Sequence, residues 1–184
     1  MTHNEAVIRH AFEQAVLRLA RLSLFADRGE AAGLSYTVTE RQEQLAVDDC
    51  LHLAISLRRL IDALALRELS LTRVISTPAR AGSIKPVGDL PATNLHELLN
   101  KIIHSQFIEL YAFSFQLERD DDVEEAYKKV INKEDFRIDP LIAVRSDRGP
   151  VSIVSMNDFC LACDEIIEAA EDHASEQKIY LSSL

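Results

Sequence analysis

The run LIAVRSDRGPVSIVSMNDFCLACDEIIEAA, residues 141–170, changes its apolar period midway, and that change decides the fold. Leu141-Ile142-Ala143-Val144 and Val151-Ser152-Ile153-Val154 are short apolar segments, and Gly149 sits in the turn-forming stretch 145–150 between them. The pair predicts a β-hairpin. After Asn157 or Asp158, either of which suits a helix N-cap, Phe159, Leu161, Ala162, Ile166, Ile167 and Ala170 recur at helical spacing. This predicts a last helix that frays near Ser175.

Working back from the hairpin, 107–118 is β-rich and predicts a strand from about Leu110 to Leu117, ended by Asp120-Asp121-Asp122. A short surface helix is expected over 123–132, with Glu124 facing Lys128. Thr93 and Asn94 are suited to capping a helix whose stripe, Leu95, Leu98, Leu99, Ile102 and Ile103, runs to about Gln106. Before it lies TRVISTPARAGSIKPVGDLP, residues 72–91, in which three prolines and two glycines deny helix and central strand. It reads as a long exposed loop, locally positive through Arg73, Arg80 and Lys85. Farther back, Leu45, Val47, Leu51, Leu53, Ala54, Leu57, Leu60, Ile61, Leu64 and Leu66 predict a central, buried helix over 40–70 with Thr39 as its cap. Tyr36-Thr37-Val38-Thr39 reads as a short extended piece. Residues 4–27 form an amphipathic first helix, stopped by the glycines at 29 and 33. The fold class is therefore mainly α: a helical bundle with an inserted β-hairpin or small antiparallel sheet before the last helix. It forms one domain over 1–184, with an exposed loop over 71–92 and a β-containing insertion over 108–155.

The 184 residues are 47% hydrophobic, which is enough for one core. With 20 Lys plus Arg against 30 Asp plus Glu, the net charge of −10 repels polyanions at long range, so any RNA contact must be local or shared. No apolar run approaches the roughly 20 residues that span a bilayer, and the opening MTHNEAVIRH lacks a signal-peptide core. A cytoplasmic protein without membrane contact is expected, with Cys50, Cys160 and Cys163 as reduced thiols.

His96, Asn100 and His104 follow one another at four-residue intervals and so share a helical stripe. An imidazole can move a proton near neutral pH, and a carboxamide can orient a ring or hold a phosphate. The same residues also suit the solvent side of an amphipathic helix. The two histidines lie about 12 Å apart along a helix and cannot share one metal ion. Cys160-Leu161-Ala162-Cys163 has zinc or redox spacing but no second ligand pair, and it reads as two core thiols. The acidic run 118–125 lacks the calcium-loop pattern and reads as a solvated turn. No P-loop, H-E-x-x-H, G-x-G-x-x-G or nucleophile elbow is present, and no metal or cofactor is expected.

The segment from Leu95 to His104, followed by a hairpin and Met156-Asn157-Asp158-Phe159-Cys160, resembles bacterial helical proteins of the HEPN superfamily. In that family an arginine, a polar residue and a histidine a few positions on face their counterparts across a subunit pair, and metal-independent RNA cleavage in toxin and anti-phage systems is associated with them. The resemblance implies Asn100 at the polar position and His104 at the histidine. Leu99 stands where the arginine belongs, and leucine cannot stabilise charge on a phosphate. What it implies is a degenerate or non-catalytic relative that acts by dimerisation or partner binding in a defence or toxin system. The alternative is a ribonuclease using His104 with Asn100. Candidate binding residues are His96, Arg58, Arg59 and Arg80, with Arg67 and Arg73 as further sources of the missing arginine; Arg59 next to Arg58 also reads as an intrahelical ion pair with Asp62. A homodimer, or a heterodimer with a related chain, is expected through the stripe holding Leu99 and Ile103, with RNA as a further candidate partner.

Overall fold

The structure, a computed structural model, describes residues 3–26, 36–77, 92–111, 140–147 and 151–181. Helices α1 (His3–Ala26) and α2 (Tyr36–Ala63) pack together, and a short α3 (Arg67–Thr72) follows. Strand β1 (Val74–Ile75) pairs antiparallel with β2 (Thr93–Asn94), which runs straight into α4 (Leu95–Ile103). Next come β3 (Ser105–Tyr111), β4 (Leu141–Ser146) and β5 (Ser152–Ser155), an antiparallel sheet in the order β3-β4-β5, and finally α5 (Met156–Glu176). The architecture is mainly α, with a small sheet before the last helix, as the sequence predicts.

The central position belongs to α2, which packs against α1, α4, β3 and α5. Leu53, Leu57, Leu60 and Ile61 are wholly inaccessible. Small residues let the partner helices approach closely: Ala11 and Ala15 on α1, Ala162, Ala170 and Ala174 on α5. Strand β4 is apolar without alternation because both its faces are covered: Leu141, Ile142, Ala143 and Val144 are all inaccessible, and α4 and α5 pack against it. One contiguous cluster joins residues of α1, α2, α4, the sheet and α5.

Several boundaries differ from the sequence reading. Tyr36–Thr39 belongs to α2 and is not extended, because the modest helix penalty of β-branched residues is outweighed by propagation from the strong helix formers that follow. The predicted 40–70 helix is broken at Ala65, whose φ of 57° is left-handed. There the Leu66 N–H donates to the Ile61 carbonyl at 3.0 Å, and buried Leu66 follows the turn, as in a Schellman stop. Lys178, also at φ 57°, ends α5 in the same way, with Ile179 donating to Ala174 at 2.8 Å. Left-handed geometry costs a residue bearing a Cβ about 1 kcal/mol. Ala65→Gly is therefore expected to raise stability by about 0.5 kcal/mol after the added freedom of the unfolded chain is subtracted. A urea midpoint that moves up at unchanged slope will show it; a fall will show that the turn is not held as described.

The strand predicted over 110–117 starts at Ser105, because α4 stops at Ile103 and the β-rich residues pair at once with β4, Ile108 opposite Val144 and Leu110 opposite Ile142. The register shifts between Ser105 and Phe107. Residues 112–117, the expected helix over 123–132 and the acidic run lie outside the described residues. The α5 cap is Ser155, not Asn157 or Asp158: its Oγ accepts from the Asp158 N–H at 3.2 Å. Asn94 caps α4 as expected, its Oδ1 accepting from Glu97 N–H at 2.9 Å.

The start of the loop predicted over 71–92 is structured, since polar side chains tie it to α5. Arg73 donates to Asp158 Oδ1 at 2.8 Å and pairs with Glu165 at 2.9 Å, while Ser76 N–H donates to Asp158 Oδ2 at 2.6 Å. Burial alone would raise the Asp158 carboxyl, but the hydrogen bonds from Ser76 and Arg73 outweigh it and hold the group below the ordinary carboxylate range.

Candidate functional site

Helix α4 turns Leu95, Leu98, Leu99 and Ile102 into the core. The stripe of His96, Asn100 and His104 runs obliquely from that core to solvent: His96 is buried, Asn100 half-buried and His104 exposed.

His96 packs against α2 and α3, where its partners assign its tautomer. Ser70 Oγ gives its one proton to the Arg67 carbonyl at 2.7 Å, so it can only accept from His96 Nδ1, 3.1 Å away. Arg58 is only a donor, so Nε2, 3.0 Å from its Nη1, must be the unprotonated nitrogen. The 2.9 Å approach of the same Nη1 to Nδ1 is then a close contact and not a bond. Burial lowers the ring below its ordinary 6.5, the positive charges of Arg58 and Arg67 lower it further, and Asp62 and Glu97 oppose them weakly. A neutral imidazole with both nitrogens engaged joins three helices and has no free ring nitrogen for a ligand.

The other candidates are placed differently. His104 is the C-cap of α4, its N–H donating to the Asn100 carbonyl at 3.1 Å. Among the described residues no arginine is hydrogen-bonded to its ring. Arg58 serves His96 and lies 3.6 Å from Asp62, so the intrahelical pair expected of Arg59 belongs to Arg58. Arg59 and Arg67 are exposed, Arg73 is held by Asp158 and Glu165, and Arg80 lies outside the described residues. An arginine the sequence reading overlooks is Arg145, which pairs with Phe107 across β3-β4, three residues past His104, with its guanidinium carbon 5.9 Å from the Phe107 ring. Leu99 is wholly inaccessible within the protomer, and Ile103 on the same stripe is half-buried.

The three cysteines, one from α2 and two from α5, are buried free thiols. Burial pushes Cys160 up to about 12 and raises Cys50 and Cys163 well above their ordinary value, so none is a thiolate at neutral pH. Among the described residues no group of three His, Cys, Asp or Glu is placed to hold a metal ion.

A concavity of about 790 Å³ lies elsewhere, between α1 and α5. Phe12, Leu19 and Ile167 line it, Val16 and Leu161 border it at 42% and 61% exposure, and Asp164, Glu168 and Glu171 supply its charge. No sequence motif marks it.

Compared with family models, curated proteins and solved structures, the chain matches none. No helix among the described residues is long and apolar enough to cross a membrane.

Proposed function

We propose that this chain is a non-catalytic, HEPN-like helical protein that acts by binding a partner protein, in the defence or toxin setting that its sequence resemblance implies. One observation carries the reading: the arginine position of the motif is filled by Leu99 in the core, while Arg58, which reaches the histidine stripe, is bound to a neutral His96. Among the described residues no arginine is hydrogen-bonded to the exposed His104, and such a cation is what would stabilise charge on a phosphate. The groove between α1 and α5 offers the contact face instead.

The position of Arg145 favours one alternative, a metal-independent ribonuclease in which His104 is the acid or base and Asn100 its partner. The two readings part in one assay. Purified protein incubated with single-stranded and hairpin RNA in chelator is expected to leave both intact, and His104→Ala to behave like the parent. Cleavage by the parent that falls on the order of a hundredfold in His104→Ala would replace the binding reading with the ribonuclease one. Arg145→Ala would then be the next variant.

A further inference from the structure

The groove is built from two regular stripes. On α1 its lining falls at 12, 16, 19, 20, 23 and 26; on α5 at 157, 160, 161, 164, 167, 168 and 171. Both follow the three-and-four spacing of a helical seam. The helices run antiparallel, since Arg9 near the start of α1 donates to the Tyr180 carbonyl just past the end of α5 at 3.1 Å. Each stripe spans fourteen residue steps, so the seam is about 21 Å long, or four turns of helix. The remaining apolar faces are already used: Ala11, Ala15 and Leu22 of α1, and Phe159, Cys163 and Ile166 of α5, are buried in the core. What remains is a trough between two helices with the shape a third helix would fill.

Among the described residues its charge is of one sign: Asp164, Glu168 and Glu171 line it, and no described lysine or arginine does. Of the arginines of α1, Arg18 and Arg21 both meet Asp49 of α2, and Arg9 donates to the Tyr180 carbonyl. We infer, resting on the partner-binding reading above, that this groove takes a basic amphipathic helix of about four turns from another protein, with leucine-like residues in the seam and Lys or Arg facing Asp164, Glu168 and Glu171. A second copy is the wrong occupant. A two-fold contact across this face would set the same three carboxylates against themselves between molecules of net charge −10. RNA is repelled by the same rim.

The test uses the full chain and two labelled synthetic peptides of about 18 residues. Both carry leucine at seam positions; one is flanked by lysine and the other by glutamate. Fluorescence anisotropy is expected to show the lysine peptide binding more tightly than the glutamate peptide by on the order of tenfold or more. Leu161→Lys, on a side chain already exposed, should weaken the lysine peptide by a similar factor with the circular dichroism unchanged. Reversing all three acids, Asp164→Lys, Glu168→Lys and Glu171→Lys, should invert the preference. Equal binding of both peptides would overturn the basic-helix inference while leaving the groove as a contact face. Binding of neither, with light scattering showing a dimer that Leu161→Lys dissociates, would make a second copy the occupant and overturn it too. Binding of neither by a monomer would overturn both the inference and the groove's role in the proposed function.

Discussion

Replacing Asp49 with Ala is expected to lower folding stability by about 2–4 kcal/mol. The Asp49 side chain is only 4% exposed, its Oδ1 is 2.6 Å from Arg18 Nη1 and its Oδ2 is 3.0 Å from Arg21 Nε. One carboxylate of α2 thus holds two cations of α1. Truncation leaves Arg18, 19% exposed, without its close partner in a site poorly reached by water, with Asp48 at 3.8 Å its remaining carboxylate among the described residues. The half-exposed Arg21 can relax into solvent, which is why the expected loss falls short of the upper range for a fully buried pair. The double variant Asp49→Leu with Arg18→Met, apolar on both sides, should recover most of the loss. Urea unfolding of the parent, Asp49→Leu, Arg18→Met and the double variant measures the coupling directly. A single-variant loss no larger than an exposed pair's, about 0.5 kcal/mol, would mean that water reaches the site freely.

His96→Ala is expected to cost about 2–4 kcal/mol at neutral pH, through the cavity left by a buried ring and through Arg58 and Ser70 losing their partner. Its sharper signature is in acid. The folded-state ring is held below the ordinary 6.5, mainly by burial, so the unfolded chain takes up a proton first as pH falls. The neutral ring's contribution is fully present above pH 6.5 and is lost progressively below it, down through the lowered folded value. As pH falls below about 6.5 the parent should therefore lose stability by more than the variant does. Parallel pH profiles for the two proteins would show that the ring carries its proton in the fold.

Much of the fold was legible because its signals were redundant. The unbroken apolar run Leu141–Val144 marks a strand covered on both faces, and α2 is apolar around much of its circumference. Asn94 is both a good cap and followed by an apolar stripe. The breaks were harder to see, since Ala-Leu-Ala-Leu over 63–66 contains no glycine or proline, and its reversal depends on where Leu66 can be buried. The histidine stripe is plain from spacing, but its slant is not: the arc of Leu95, Leu98, Leu99 and Ile102 is wide enough to take His96 with it and leave His104 outside. The groove has regular seam spacing on both helices, yet spacing cannot tell a seam that is filled from one that is empty. Only the packing of α1 and α5 on α2 shows which face is left over.

The β1-β2 pair closes the base of the chain between them, with Val74 opposite Asn94 and Ile75 opposite Thr93, while Arg73 and Ser76 fasten that base to the start of α5. Length added to the stretch between 78 and 91 would therefore leave these pairs at its ends in place. Its two ends are fixed by pairs that do not depend on its length, and each doubling of a flexible closed segment adds only about 0.6 kcal/mol to the entropic cost of closure. In evolutionary terms this is a tolerant address: descendants of the chain can lengthen, shorten or rewrite that stretch while the described helices and the sheet stay as they are. Sequence drift among descendants of this chain should therefore concentrate there more than in α2.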